Sequence, residues 1–195
     1  MPRLALGLYV LYLALALGWR SWRQFRETGR TGFVGLAHAG ALERLVGVLL
    51  VAAIALGLAS PLAALRGGPE VGGAQAALGI ALFGTGLALT LWAQLHMGAS
   101  WRIGVDPSER TALVTDGPFA HARNPIFTGM LAVALGLGLL VPNAWAVGAA
   151  LALAVGLELQ VRLVEEPYLS RTHGEAYRAW AARTGRFLPG VGRLR

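Results

Sequence analysis

The sequence predicts an all-α fold: a polytopic membrane bundle of about five transmembrane helices followed by a C-terminal cytoplasmic amphipathic helix. Three observations predict it. Hydrophobic residues make up 55% of the 195 positions, and the mean hydropathy is +0.56, too apolar for an ordinary soluble domain. Only 14% of residues are charged, and they cluster between long uncharged runs. Those runs approach the roughly 20 apolar residues that carry a helix across a bilayer.

The first run, Leu4 to Trp19, is followed directly by Arg20, Trp22, Arg23 and Arg26. No small-residue cleavage site follows it, so it reads as a retained span rather than a signal peptide. Arg3 and Arg20 can snorkel from its ends. The second span falls between Arg44 and Arg66, about Leu45–Leu65. The third falls between Glu70 and Arg102, about Gly73–Leu95. From Asn124 to Leu157 the chain carries no charge, with Val141-Pro142-Asn143 in the middle. Pro disfavours helix at the residue before it, and Pro-Asn is turn chemistry. The run therefore divides into a fourth span, about Pro125–Leu140, and a fifth from about Asn143 to Val164, crossing fully or re-entrant. Glycines recur in the spans (Gly79, Gly84, Gly86, Gly129, Gly136, Gly138) and permit close helix approach in lipid. Residues 166–187 are polar with Tyr168, Leu169, Tyr177, Trp180 and Phe187 interleaved, the pattern of an amphipathic helix.

Charge sets the expected orientation. All 17 basic residues are Arg. With five spans and the N-terminus outside, Arg20, Arg23, Arg26, Arg30, Arg44, Arg102, Arg110, Arg123 and every Arg from Arg162 onward fall on the cytoplasmic side; Arg3 and Arg66 fall outside. The excess of Arg on one side is the positive-inside pattern. The expected location is the inner or plasma membrane. The formal charge of +7 flanks apolar spans, so anionic lipid rather than nucleic acid is the expected partner. Cysteine is absent, which excludes disulfides and thiol chemistry.

Two polar segments carry the candidate chemistry, and this topology puts them on one face. Leu113–Gly129 reads LVTDGPFAHARNPIFTG, and Leu157–Leu169 reads LELQVRLVEEPYL. In a regular α-helix Glu158, Arg162 and Glu165/Glu166 share one side. They form either an interfacial ion-pair ladder or the wall of a cavity for a cationic or zwitterionic ligand. His96 and His121 lack metal-ligand spacing, and no metal is expected. Trp101 and Trp180 read as interfacial anchors. There is no Walker loop and no glycine-rich dinucleotide motif.

These residues resemble the isoprenylcysteine carboxyl methyltransferase family and its phospholipid N-methyltransferase relatives. The family pattern runs LVT-x-G-x-Y, R-H-P-x-Y-x-G, an apolar hairpin, E-E, then G-x-x-Y. This chain has Leu113-Val114-Thr115 with Gly117 and Phe119, then Arg123-Asn124-Pro125 with Phe127 and Gly129. Glu165-Glu166 and Gly174 to Tyr177 follow. Asn124 stands where the pattern has His, and Phe119 and Phe127 stand where it has Tyr; this variant looks like a bacterial branch. The resemblance covers about residues 96–189.

It implies one integral-membrane unit, 1–195, in which 1–95 supplies three spans and 96–195 supplies a methyltransferase-like region. It also implies S-adenosylmethionine as cofactor. Leu113, Val114, Phe119, Arg123, Asn124, Pro125, Phe127, Glu165 and Glu166 would hold it. Arg162, one position out of the family register, would face the substrate. The implied acceptor is a lipophilic small molecule with a carboxylate or amine. Asn124 cannot serve as a base or cation, so the segment is expected to bind rather than to transfer protons. Two other readings stay open: a reductase resembling membrane sterol reductases that use NADPH, and a non-catalytic lipid-binding protein.

Overall fold

The structure, a computed structural model, describes residues 1–33, 40–104 and 112–194. Arg110 and Arg195, counted above for orientation, lie outside the described residues. The elements in order are α1 (Pro2–Leu13), a π-helical turn (Ala14–Trp19), α2 (Arg20–Thr28), α3 (Ala41–Ala64), α4 (Gly73–Met97), α5 (Pro125–Leu140), α6 (Ala144–Leu159), a second π-helical turn (Gln160–Glu165) and α7 (Glu166–Arg183). Among the described residues, four helical stretches are long and apolar enough to cross a membrane: Pro2–Thr28, Ala41–Ala64, Gly73–Ser100 and Ala144–Arg183. The fifth apolar helix, Pro125–Leu140, has 16 residues, about 24 Å at 1.5 Å per residue.

Local chemistry sets the ends of the hairpin. Pro125 occupies the first turn of α5, where its missing N–H costs nothing. Asn143 caps α6 by accepting from the Ala146 amide at 3.0 Å, and its side chain donates to the Ser60 carbonyl at 3.1 Å. The tight turn at 141–143 therefore also ties the hairpin to α3.

The α4–α5 pair is the centre of the bundle. The helices run antiparallel, with Gly79 against Gly136 and Gly86 against Gly129. Phe83 of α4 packs with Val133, Leu137 and Leu140 of α5 and with Ala5, Tyr9, Tyr12 and Ala16 from the α1 region. Small residues let the two backbones approach, so van der Waals contact replaces the hydrophobic drive that lipid cannot supply.

The C-terminal helix α7 forms where the sequence places it and packs one side against the bundle; it continues α6 through the π turn. It then kinks at Gly174, whose φ of 55° no helix allows. Tyr168, Tyr177 and Trp180 are buried. Beyond it, residues 184–194 fold back: the Arg123 and Asn124 amides donate to the carbonyls of Gly185 and Arg186 at 2.8 and 3.0 Å.

Candidate functional site

The two polar segments meet at one end of the bundle. Trp180, Tyr177 and Ala181 of α7 pack with Ala93 of α4 and with Phe119. Met97, Leu113, Val114, Ile126, Leu169 and Leu194 pack around them. The Tyr177 and Trp180 rings meet edge to face at 5.8 Å, a favoured aromatic geometry.

Phe119 is positioned from α4. Its ring lies near parallel to His96, at 6.5 Å between centroids. His96 Nε2 is 3.1 Å from Asp116 Oδ1. That hydrogen bond is the main reason the Asp116 pKa falls below the ordinary carboxylate value. Gly117 makes this arrangement possible: its φ is +54°, and a Cβ there would lie 2.6 Å from the His96 ring.

Arg123 and Glu166 form the buried ionic centre. Arg123 Nη2 donates to Glu166 Oε1 at 2.8 Å and to the Gly192 carbonyl at 2.8 Å. Glu166 also accepts from Arg186 Nε at 2.8 Å and Nη2 at 3.0 Å. Burial lowers the Arg123 pKa, whereas the bond to Glu166 raises that of Arg186; both stay cationic, as guanidinium groups do in proteins. Asn124 Nδ2 donates to the Arg186 carbonyl at 3.1 Å, and Thr128 Oγ1 to that of Phe187 at 2.6 Å. The Arg-Asn-Pro motif thus fastens the C-terminal segment.

The expected single face of Glu158, Arg162, Glu165 and Glu166 is not formed. The π turn is the reason: its wider turn changes the angular register. Glu158 and Arg162 pair with each other on an exposed surface. Glu165 turns to Gln160, whose Nε2 donates to its Oε1 at 3.1 Å, five residues away. Glu166 faces Arg123 and Arg186. Glu165 also lies in the field of Arg102, whose Nη2 donates to Tyr168 Oη at 3.3 Å.

Of the residues singled out from sequence, the structure brings Leu113, Val114 and Phe119 to one cluster, with Arg123 and Glu166 paired beside Tyr177. Glu165 shares those electrostatic surroundings. Pro125 is buried and Phe127 half-buried on the first turn of α5. Arg162 is exposed and joined to Glu158 rather than to the cluster. Trp101 and Trp180 are buried, 2% and 4% exposed, and are not surface anchors. Sequence reasoning does not place Trp180 in the site; the signal for it is its position three residues after Tyr177. Among the described residues, three donor atoms here are buried without a partner: Arg123 Nε, Arg123 Nη1 and Trp180 Nε1.

The fold and the site define a helical membrane protein with a buried polar centre at one end of the bundle. The phospholipid methyltransferase family model matches residues 74–176, and the chain belongs to that family. The eukaryotic intramembrane Ras methyltransferase, isoprenylcysteine carboxyl methyltransferase, has a similar fold with a TM-score of 0.65. The match covers 100% of this chain and 70% of that one at 16% identity. No curated protein matches the sequence.

Proposed function

We propose that this chain transfers a methyl group from S-adenosylmethionine to a lipid-like acceptor, at the cytoplasmic face of an inner or plasma membrane. The single observation that carries the cofactor reading is the set of buried, unpartnered donors beside an aromatic cluster. Arg123 Nε and Nη1 and Trp180 Nε1 lack acceptors, and a buried unpaired donor is costly. A ligand with a carboxylate, ribose oxygens and ring nitrogens supplies acceptors. The residues present fit the group.

When bound, the cofactor supplies an electrophilic methyl on a sulfonium. The chain's contribution is binding, orientation and exclusion of water. Leu113, Val114 and Phe119 would form the wall of the site, with Asn124, Pro125 and Phe127 at its floor. The faces of Phe119 and Tyr177 suit a cation. Glu165 would supply acceptor oxygens, and Arg123 is held in register by Glu166. Leu194 packs against the cluster and would help to keep water from it. A carboxylate acceptor already has its nucleophilic lone pair; an amine must arrive unprotonated. Arg162 would meet an anionic acceptor at the exposed edge. The Arg distribution supports an outside N-terminus and a cytoplasmic site.

One observation favours a non-catalytic, lipid-binding reading instead: Arg123, Asn124 and Glu166 are all engaged with each other or with the C-terminal segment. Calorimetry of the purified protein with S-adenosylhomocysteine separates the two. The expected result is saturable binding that Glu165→Ala weakens. A folded protein that binds no nucleoside would leave the lipid-binding reading standing.

A further inference from the structure

The α1 side of the bundle holds an apolar cavity of about 130 Å³, lined from α1, α3, α4, α5 and α6. Its volume approaches the roughly 150 Å³ apolar cavities that stay dry and accept small hydrocarbons. On α1 and its π turn it runs from Ala5 to Leu17, about 18 Å at helical rise. Ile54, one of its walls, is 41% exposed, so this wall is also lipid-facing surface.

The polar side chains that line it are committed elsewhere, with one exception. Tyr9 Oη donates to the Ile54 carbonyl at 2.9 Å, and Tyr12 Oη lies 3.4 Å from Thr90 Oγ1. Ser60 Oγ donates to the Val141 carbonyl at 3.5 Å. Gln94 Nε2 donates to the Ala16 carbonyl at 2.9 Å. Ala16 lies within the first π turn, whose widened backbone offers that carbonyl to a side chain. This bond fixes which end of the Gln94 amide is which. The other end, Oε1, is buried with no partner among the described residues, in a residue 3% exposed.

Gln94 stands between the cavity and the proposed cofactor site. It lines the cavity, and its neighbour Ala93 belongs to the Phe119–Tyr177–Trp180 cluster. We propose that Gln94 is a specificity-determining residue. The cavity takes the hydrocarbon of the acceptor, and Gln94 Oε1 accepts a hydrogen bond from an N–H or O–H at the head of that chain. The inference rests on the methyltransferase reading and narrows it. A fully ionised carboxylate has no proton to give and leaves Oε1 unpaired, so the favoured acceptor is a neutral lipophilic amine, whose lone pair takes the methyl while its N–H stays on Oε1; an alcohol can bind the same way but has no base here to take its proton.

The test uses the full chain in phosphatidylcholine nanodiscs. Tritiated dodecanol is displaced by dodecanol, dodecylamine or dodecyl methyl ether, which has a similar chain and no donor. The expected result is a preference of about five- to tenfold for alcohol and amine over ether, the worth of one hydrogen bond. Gln94→Met should abolish the preference and leave ether affinity in place. Equal binding of alcohol and ether to the wild type overturns the proposal, and needs no variant to fold. So does an unchanged preference in a folded Gln94→Met. S-Adenosylhomocysteine binding is measured on the same sample. Donor selectivity without nucleoside binding sinks the methyltransferase reading alone; nucleoside binding without donor selectivity sinks the Gln94 assignment alone.

Discussion

Gly86 and Gly129 face each other across the α4–α5 crossing, and a Cβ on either would lie 2.6 Å from the other's carbonyl oxygen. Gly79 and Gly136 repeat the relationship one heptad away. At Gly129 the Thr90 hydroxyl also stands in the way, but the opposing Gly86 carbonyl is backbone, which cannot swing aside. Gly129→Ala should therefore force the helices apart and cost about 1–3 kcal/mol, the usual range for overpacking. Gly84 lies on the same helix as Gly86, and a Cβ there would meet nothing within 4 Å. Gly84→Ala should therefore be neutral or slightly stabilising through helix propensity. Thermal unfolding in detergent checks the pair; equal melting temperatures for the two variants would refute the packing argument.

The Arg123–Glu166–Arg186 centre should behave as a unit. Removing one member of a buried pair leaves a charge uncompensated, which costs about 3–5 kcal/mol. Glu166→Ala strands two guanidinium groups and should be the more damaging change. Arg162→Ala removes only an exposed pair with Glu158, and exposed pairs are worth about 0–1 kcal/mol. Chemical unfolding of both variants tests this contrast. A Glu166→Ala protein as stable as Arg162→Ala would show that the centre is not structural.

Much of this architecture is legible in the sequence, and the exceptions share a cause. The hairpin turn at Pro142-Asn143 is readable because turn chemistry is local. The glycine crossing is readable in part: Gly79, Gly86, Gly129 and Gly136 pack as expected and Gly138 faces Ala146 of α6, while Gly84 meets no neighbour, since spacing alone does not say which face meets one. The arrangement of Glu158, Arg162, Glu165 and Glu166 departs from expectation because a regular helix has 3.6 residues per turn and a π turn intervenes. The engagement of Arg123 and Asn124 with residues 185–192 is unreadable, because that contact joins positions far apart in the chain and uses backbone carbonyls that carry no sequence signal. Trp180 has the sequence surroundings of a membrane anchor, and its burial depends on the fold of α7 over α4.

Acid should loosen the Phe119 wall. The His96 hydrogen bond lowers the Asp116 pKa in the folded protein. A group with a depressed folded pKa stabilises the fold above its unfolded value, about 3.9 for Asp, and that contribution disappears as pH falls through the folded value. Wild type and Asp116→Asn should therefore differ in stability at neutral pH and converge as pH falls below about 4. Melting temperatures at a series of pH values read the effect. A difference that persists unchanged into strong acid would rule out the His96–Asp116 bond as its source.

Trp180 offers the sharpest test of the proposed cofactor site. Its indole Nε1 is buried and has no acceptor, yet its ring is packed against Tyr177. Phenylalanine keeps an aromatic ring and removes the donor. If Nε1 serves only as a tolerated defect in a packed core, Trp180→Phe should leave nucleoside affinity unchanged. If it serves the cofactor, S-adenosylhomocysteine affinity should fall by about five- to tenfold, the loss expected for one neutral hydrogen bond, while the melting temperature in the absence of nucleoside stays close to wild type. Calorimetry and an unfolding scan on the same preparation separate these outcomes, because a packing defect moves the melting temperature of the free protein and a lost ligand contact moves the affinity.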